Sequence, residues 1–228
     1  MCAARAGARG RRTLVVDHAD KPGKKILISG GGRCNFTNLH AAAENFLSEN
    51  PHFARSALAR YTAADFLALV EEHGIAWHEK TLGQLFCDRS AQEILNLLLR
   101  ECARADVRIH LGVRIASVGQ AEGHGFRVET SCGVVRAASV VVATGGLSIP
   151  KMGATGLGYD LARQFGVAVV PPRAGLVPLV FGTEDQARWC DLTGLSVEVT
   201  ASVAGAGAAV AAAGAGAAAS EVAGRRRG

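Results

Sequence analysis

The sequence predicts an α/β fold built on a parallel sheet, and three observations support this class. A continuous apolar run, Thr13–Asp17, ends in an acid. A glycine-rich loop spans Ser29–Arg33, and a second apolar run, Ser139–Ala143, ends at Thr144-Gly145-Gly146. Continuous β-branched and apolar runs are typical of parallel strands that are covered on both faces.

The first run, Thr13–Asp17, is typical of the second strand in a Rossmann βαβ unit. An acid such as Asp17 at the end of that strand hydrogen-bonds the ribose of a bound dinucleotide. The G-x-G-x-x-G fingerprint should then lie about 20 residues earlier, which is before Met1. Residues Met1–Gly10, rich in Ala and Arg, are predicted to be the latter part of the helix that follows it. We therefore expect the chain to begin inside a Rossmann unit, without its first strand and phosphate-binding turn.

The glycine-rich loop is the most informative segment of the chain. The apolar trio Ile26–Ile28 leads into three consecutive glycines, Gly30–Gly32, which Ser29 and Arg33 flank. Glycines allow backbone N–H groups to approach a ligand closely, and a neighbouring guanidinium suits phosphate or carboxylate. The alternative is a glycine-rich hairpin with an exposed arginine.

The third element comes late in the chain. Residues Ser139–Ala143 are predicted to form a second buried strand that ends at Thr144-Gly145-Gly146. Glycines at the carboxyl end of a parallel strand bring the backbone close to a ligand, because open α/β sheets bind ligands at that edge. The alternative is that Gly145 and Gly146 only form a tight exit from the strand.

The middle of the chain predicts two capped helices with short extended segments between them. Thr62–Asp65 has the pattern of a capping box, and its helix should end near Gly74. Ser90–Glu93 is a second capping box that should begin the next helix. Short extended segments are expected between Ile75 and Phe86.

Alternating apolar and polar residues in Gly125–Thr130 predict an antiparallel strand, with Gly133 in the following turn. Strands from about Val107 to Arg136 are predicted to form one small sheet over the Rossmann core. A helix is expected at Tyr159–Phe165, ending at Gly166.

Two segments resemble the signatures of a known family. The string Lys21-Pro-Gly-Lys-Lys-Ile-Leu-Ile-Ser-Gly-Gly-Gly-Arg-Cys-Asn-Phe-Thr-Asn38 resembles the first signature of the BaiN-type, aminoacetone oxidase-like FAD-binding flavoproteins. Ala143–Gly146 and Ser148–Tyr159 are similar to the second signature. The middle segment, Phe53–Cys102, is also similar to members of the family. The resemblance implies a two-dinucleotide-binding FAD fold with oxidoreductase activity.

The resemblance also implies which residues bind FAD. Asp17 matches the acid that holds the adenosine ribose, and Ile115 matches a strand whose backbone contacts the adenine edge. The loop along the diphosphate and flavin corresponds to Lys25, Ser29, Gly30, Gly31, Gly32, Arg33 and Cys34. Thr144, Gly145 and Gly146 match the segment that crosses back toward the cofactor. Cys34 is expected to pack against the flavin rather than react. No catalytic acid or base is assigned.

The resemblance, together with the composition of the last residues, divides the chain into three regions. Residues 1–170 form the FAD-binding domain, and residues 171–200 open an inserted β-rich domain that begins near Val177. Residues 201–228 are an Ala/Gly-rich tail of low complexity. Because family members are longer at both ends, we expect this chain to be truncated.

Composition restricts the partners and the compartment. The net charge is +5, but seven of the 25 basic residues lie at the two ends of the chain. The region between them has 18 basic and 20 acidic residues. Nucleic-acid binding is therefore not expected, and no apolar stretch before the tail is long enough to span a membrane. The six cysteines have no C-x-x-C spacing, so no metal site is predicted and reduced thiols in the cytoplasm are expected.

The family resemblance implies an FAD-dependent oxidoreductase that acts on a small molecule, for example one that contains a carbonyl or enone. NAD(P)H or oxygen is expected to be the electron partner. The alternative is a truncated, non-catalytic fragment that cannot retain FAD. A nucleotide-binding module without redox chemistry is a third hypothesis.

Overall fold

The structure is a computed structural model that describes residues 1–174 and 180–192. The chain divides into two units, Met1–Val169 and Val170–Gly228. The described part of the second unit contains a helix at Thr183–Trp189 and a 3-10 turn at Cys190–Leu192. Val177, where the β-rich domain is expected to begin, and the tail at 201–228 lie outside the described residues.

The first unit contains both α-helices and β-strands. Its helices are α1 (Cys2–Gly7), α2 (Lys24–Ile28), α3 (Arg55–Arg60), α4 (Ala63–Glu72), α5 (Gln92–Arg104) and α6 (Leu157–Gln164). Its strands are β1 (Leu14–Val16), β2 (Asn35–Asn38), β3 (Trp77–Glu79), β4 (Gln84–Cys87), β5 (Arg108–His110), β6 (Ile115–Gln120), β7 (Phe126–Thr130) and β8 (Gly133–Ala137).

Strands β1 and β5 form a parallel pair in which Leu14 lies opposite Arg108 and Val16 opposite His110. Helix α1 precedes β1, as the sequence predicts, and α5 precedes β5. Parallel strands require crossover connections, which helices usually provide. The predicted strand at the first apolar run is confirmed, but its residues are half-buried rather than fully buried.

The prediction that residues from Val107 onward belong to one small antiparallel sheet is therefore wrong for β5. The antiparallel sheet contains only β6, β7 and β8 within the described residues, in that order. Val128 of β7 is buried and lies opposite Val118 of β6. Both pack against Leu161 of α6, whose helix ends before Gly166 as predicted.

A second antiparallel sheet has the order β2-β4-β3, and β3 and β4 confirm the extended segments predicted before Phe86. The main hydrophobic core lies where this sheet meets α4 and α5. Its buried members are Cys34, Leu69, Val70, Ile75, Cys87, Ala91, Ile94 and Leu97.

The two predicted capping boxes have different outcomes. Thr62 caps α4: its hydroxyl accepts from the Asp65 amide, and the Asp65 carboxylate accepts from the Thr62 amide. Ser90 does not form a capping box. Its hydroxyl accepts from the Gln92 amide at 3.2 Å, whereas Glu93 forms an ion pair with Arg89 at 2.7 Å and so does not reach back to Ser90.

The predicted buried strand at Ser139–Ala143 is also wrong. These residues form no strand, and the side chains of Val141 and Val142 are 66% and 49% exposed. A strand needs a neighbour to accept and donate its ladder hydrogen bonds. No strand pairs with this segment in the part of the chain that the structure describes.

Candidate functional site

The glycine-rich loop has a left-handed backbone. Gly30, Gly31 and Gly32 have φ angles of 58°, 66° and 87°, which L side chains rarely adopt. A Cβ atom on Gly30 would lie 2.6 Å from Cε1 of Phe86 and 2.8 Å from the backbone nitrogen of Asn35. A Cβ atom on Gly31 would meet nothing within 4 Å. Packing therefore requires a glycine at position 30, whereas Gly31 presents its backbone to open space.

Backbone hydrogen bonds hold this loop against the elements behind it. The amide of Cys87, the last residue of β4, donates to the Arg33 carbonyl at 2.9 Å. The amide of Ala91, just before α5, donates to the Gly32 carbonyl at 2.7 Å. Loop, strand and helix therefore form one supported unit, and the positions of the glycines follow from the core packing.

A second segment, residues 148–153, lies beside helix α2, which leads into the loop. The ammonium group of Lys25 donates to the Ser148 hydroxyl at 3.1 Å. A Cβ atom on Gly153 would lie 3.0 Å from Nε2 of His18, which follows Asp17 at the end of β1. The structure therefore brings residues 148–153 next to both β1 and α2.

Thr144 and Gly146, at the start of this segment, contact α6. A Cβ atom on Gly158 would lie 2.5 Å from the Thr144 hydroxyl, and one on Gly146 would lie 3.7 Å from the Tyr159 hydroxyl. Gly145 has a φ angle of 72° and open space beside it. These three predicted residues thus lie beside the N-terminal turn of α6.

Asp17 lies just beyond the carboxyl end of β1, with its side chain 44% exposed. One carboxylate oxygen accepts from the Ala19 amide at 2.9 Å, which fixes its orientation. The Asp17 carbonyl accepts from the Val113 amide at 3.0 Å. Ile115, the first residue of β6, lies two positions further and is half-buried. The two predicted adenosine contacts are therefore on adjoining elements.

The charges at the loop are positive. Lys25 and Arg33 are exposed, and neither forms an ion pair with a carboxylate in the described ranges. Lys24 differs, since it pairs with Asp20 at 2.5 Å. Exposed backbone between two unpaired cations suits an anionic group such as a diphosphate.

Cys34 and Cys87 lie behind the loop and are buried. Burial raises the pKa of the Cys87 thiol to about 12, and the neighbouring Cys34 contributes. A thiol with so high a pKa is not a nucleophile at neutral pH. Cys34 adopts a φ angle of 53° without being a glycine, so its position at the end of the loop is imposed by the fold.

Sequence reasoning missed the contacts of His18 and Ser148. His78 and Asp88 form a close pair on the sheet that supports the loop. A predicted hairpin of β3 and β4 could have indicated this pair, because His78 lies opposite Phe86 and Asp88 is two residues further along the same face. Elsewhere in the described residues, no cluster of three or more potential metal ligands is present. None of the described helices has the length and apolar character needed to cross a bilayer.

The chain belongs to the family described as HI0933-like protein Rossmann domain, whose sequence pattern matches residues 1–181. This confirms the predicted α/β fold and membership in an FAD-binding Rossmann family of oxidoreductases. The narrower BaiN-type or aminoacetone oxidase-like character stays a prediction.

Three relatives are informative. The chain is 55% identical over 177 residues to a ribosomal RNA dihydrouridine synthase of Escherichia coli, covering 78% of this chain and 44% of that protein. A Haemophilus influenzae protein of the same name is 45% identical over 202 residues, with coverages of 87% and 50%. A 3-dehydro-bile acid delta(4,6)-reductase of Clostridium scindens is 33% identical over 170 residues, with coverages of 74% and 41%. The chain spans about half the length of these relatives.

Similarity to solved structures is weak. The THI4 protein of Thermovibrio ammonificans is 14% identical and matches 73% of this chain and 58% of that chain, with a TM-score of 0.42. The family assignment rests on the sequence match.

Proposed function

We propose that this chain supplies the FAD-binding part of a reductase that adds hydrogen across a C=C bond conjugated to a carbonyl. The favoured substrate is uridine in ribosomal RNA. The observation that carries this proposal is the high identity to the Escherichia coli ribosomal RNA dihydrouridine synthase. Because the chain spans about half of that relative, activity of the whole protein is part of the proposal.

The residues at the loop fit an FAD cofactor. We assign the ribose to Asp17 and the diphosphate to the exposed backbone at Gly31 with Lys25 and Arg33. This is supported by the open space at Gly31 and by the two unpaired cations. When bound, the flavin supplies hydride chemistry; the protein binds it, orients it and sets its electrostatic surroundings.

The chemistry of the relatives' products supports the reaction class. Dihydrouridine is uridine with its C5–C6 double bond reduced, and that bond is conjugated to the C4 carbonyl. The delta(4,6) bonds of a 3-oxo bile acid are likewise conjugated to a carbonyl. Both names therefore describe the reduction of an enone-like system. The bile acid relative makes a small enone the second candidate substrate.

Uridine in RNA differs from the small-molecule substrate that the family resemblance implies, and RNA is a partner that the charge distribution does not predict. Both earlier expectations stay predictions. We further infer that NAD(P)H provides the electrons, with oxygen as the alternative partner, and that the reaction takes place in the cytoplasm. Buried thiols at Cys34 and Cys87 agree with a reducing compartment.

The experiment follows FAD through one turnover. Purified chain is incubated with FAD and desalted, and absorbance is recorded at about 450 nm, where oxidised flavin absorbs. NADH or NADPH is then added without oxygen, followed by ribosomal RNA transcribed in vitro or by cyclohex-2-enone. We expect flavin to be retained, bleached by the coenzyme and reoxidised by the RNA. Mass spectrometry should then find uridine that has gained two hydrogen atoms.

Arg33→Ala and Arg136→Ala are matched variants, since both arginines are exposed and only the first lies at the loop. Loss of a hydrogen bond to a charged group costs about 1.5–3 kcal/mol, so Arg33→Ala should weaken FAD binding by roughly 10- to 100-fold. Arg136→Ala should leave it unchanged. A colourless wild-type chain would reject the cofactor assignment. Reoxidation by cyclohexenone alone would favour the small enone, and reoxidation by oxygen alone would indicate an oxidase.

A further inference from the structure

A histidine and an aspartate form a pair beside the glycine-rich loop. Nδ1 of His78 lies 2.7 Å from Oδ1 of Asp88, and the two side chains are 42% and 45% exposed. The Asp88 amide donates to the Ala76 carbonyl at 3.0 Å, which fixes the backbone from which the carboxylate projects. Nδ1 is therefore occupied, and no residue in the described ranges hydrogen-bonds to Nε2.

Aromatic packing holds this ring next to the loop. His78 lies opposite Phe86 in the register of β3 and β4, and the two rings stack with centroids 6.1 Å apart and planes inclined by 17°. Gly30 lies against the same phenylalanine ring, since a Cβ atom there would be 2.6 Å from Cε1. The order across the sheet is thus glycine loop, Phe86, His78.

The aspartate is connected to the loop by a second route. Asp88 directly follows Cys87, whose amide donates to the Arg33 carbonyl at 2.9 Å. Lys80 also contacts this phenylalanine, with its ammonium group 5.5 Å from the centroid of the Phe86 ring. The pair is therefore half-exposed and adjoins the proposed cofactor loop.

We propose that His78 is the proton donor of the reduction and that Asp88 positions it. This inference rests on the proposed function. Reduction of a conjugated C=C bond places a hydride on the carbon β to the carbonyl and a proton on the α carbon. Both electrons arrive with the hydride from the reduced cofactor, which becomes oxidised. As the π bond breaks, its electron pair forms the new C–H bond at the α carbon with the proton from Nε2 of His78.

Asp88 has two effects in this step. Its carboxylate accepts a hydrogen bond from Nδ1 and so fixes the orientation of the ring, and it leaves the neutral ring with its remaining proton on Nδ1 after the transfer. Solvent then returns a proton to Nε2, which is accessible because the ring is half-exposed. The same arrangement of a carboxylate fixing the histidine tautomer recurs in acid–base catalysis. The competing explanation is a surface ion pair, which contributes little to stability.

The test separates proton transfer from cofactor binding. Wild type, His78→Gln, Asp88→Ala and the control His124→Gln are loaded with FAD and reduced without oxygen. They are then mixed with the RNA transcript and with cyclohex-2-enone. His124 is exposed in the turn between β6 and β7 and lies outside the site. The rate of flavin reoxidation, the affinity for FAD and the rate of reduction by NADPH are all measured.

We expect His78→Gln to slow reoxidation by roughly 10²- to 10⁴-fold, the usual contribution of a general acid. Asp88→Ala should slow it less, and FAD affinity and the reduction rate should not change. His124→Gln should match wild type in all three. Equal reoxidation by wild type and His78→Gln would overturn the proposal while leaving the proposed function intact.

Nitrogen-15 NMR of the histidine side chains in the chain without cofactor provides a second, independent measurement. The neutral His78 ring should carry its proton on Nδ1 in wild type and lose that preference in Asp88→Ala. A proton on Nε2 in the wild-type neutral ring would overturn the proposal even if the chain retains no flavin. Failure of wild type to bind FAD or to be reoxidised rejects the proposed function instead.

Discussion

Replacing two adjacent glycines by alanine separates the packing role of the loop from its ligand-binding role. Gly30 and Gly31 both have left-handed backbone, with φ angles of 58° and 66°. They differ in what surrounds them, since Gly30 lies against Phe86 and the Asn35 backbone whereas Gly31 faces open space. Gly31→Ala is therefore the matched control for Gly30→Ala.

The magnitudes follow from these contacts. A left-handed conformation costs an L residue about 1–2 kcal/mol, and both variants incur this cost. Gly30→Ala also forces a methyl group to 2.8 Å from a backbone nitrogen, which cannot move as a flexible side chain can. Overpacking of this kind costs about 1–3 kcal/mol more. We therefore expect Gly30→Ala to lose roughly 2–5 kcal/mol of unfolding free energy and Gly31→Ala roughly 1–2.

Urea denaturation followed by tryptophan fluorescence measures the two free energies, and thermal melting gives an independent value. At about 2–4 °C per kcal/mol for a chain of this size, Gly30→Ala should melt several degrees below Gly31→Ala. FAD affinity should fall in Gly31→Ala even though this variant folds, because the added methyl group blocks the proposed approach of the diphosphate to the Gly31 backbone. Equal stability of the two variants would refute the packing argument, and unchanged FAD affinity in Gly31→Ala would refute the assignment of that backbone to the cofactor.

Three further outcomes are expected. Iodoacetamide should modify the exposed Cys2 and Cys132 in the folded chain and leave Cys87 unmodified until the chain unfolds, because burial raises the pKa of Cys87 to about 12. Peptide mass spectrometry measures this order. Burial opposes ionisation of Glu101, but hydrogen bonds with His73 and a neighbouring arginine outweigh it and hold its pKa below the ordinary 4.5. The contribution of Glu101 to the unfolding free energy is therefore complete above pH 4.5 and is lost as the pH falls through the lower folded pKa. In urea titrations at decreasing pH, Glu101→Gln should lose less unfolding free energy than wild type. Thr62→Ala should lower the unfolding free energy by about 1 kcal/mol in the same titrations, through loss of the α4 cap.

Local sequence patterns predicted the elements whose determinants are close in sequence. The cap at Thr62 needs only Asp65, three residues away, and the structure contains it. The strand at Phe126–Thr130 needs only alternation and the turn before Gly133, and it is present. Ser90 shows the limit of such patterns, because a nearby arginine, Arg89, competes for the carboxylate that the capping box requires.

The candidate site was predictable as a set of segments but not as a set of contacts. The glycines, Asp17 and residues 144–146 follow from motifs and from the family resemblance. The bridge from Lys25 to Ser148 joins residues 123 positions apart, and nothing in either local sequence specifies the other. The position of His78 depends on the pairing of β3 with β4, which places its ring on Phe86. Tertiary contacts, rather than residue types, therefore select which polar side chains adjoin the loop.

The two apolar runs that predicted a parallel sheet show why one prediction was right and the other wrong. Residues 14–16 and 139–143 have the same continuous β-branched pattern, yet only the first forms a strand. In the described part of the chain, β1 has β5 beside it, with Val15 opposite Ile109, whereas no strand lies beside Val141. A continuous apolar run indicates that a segment can be buried on both faces. It becomes a strand only where a neighbouring strand is present to form the ladder hydrogen bonds. Sequence periodicity therefore identifies candidates for a parallel sheet, and pairing decides which of them become strands.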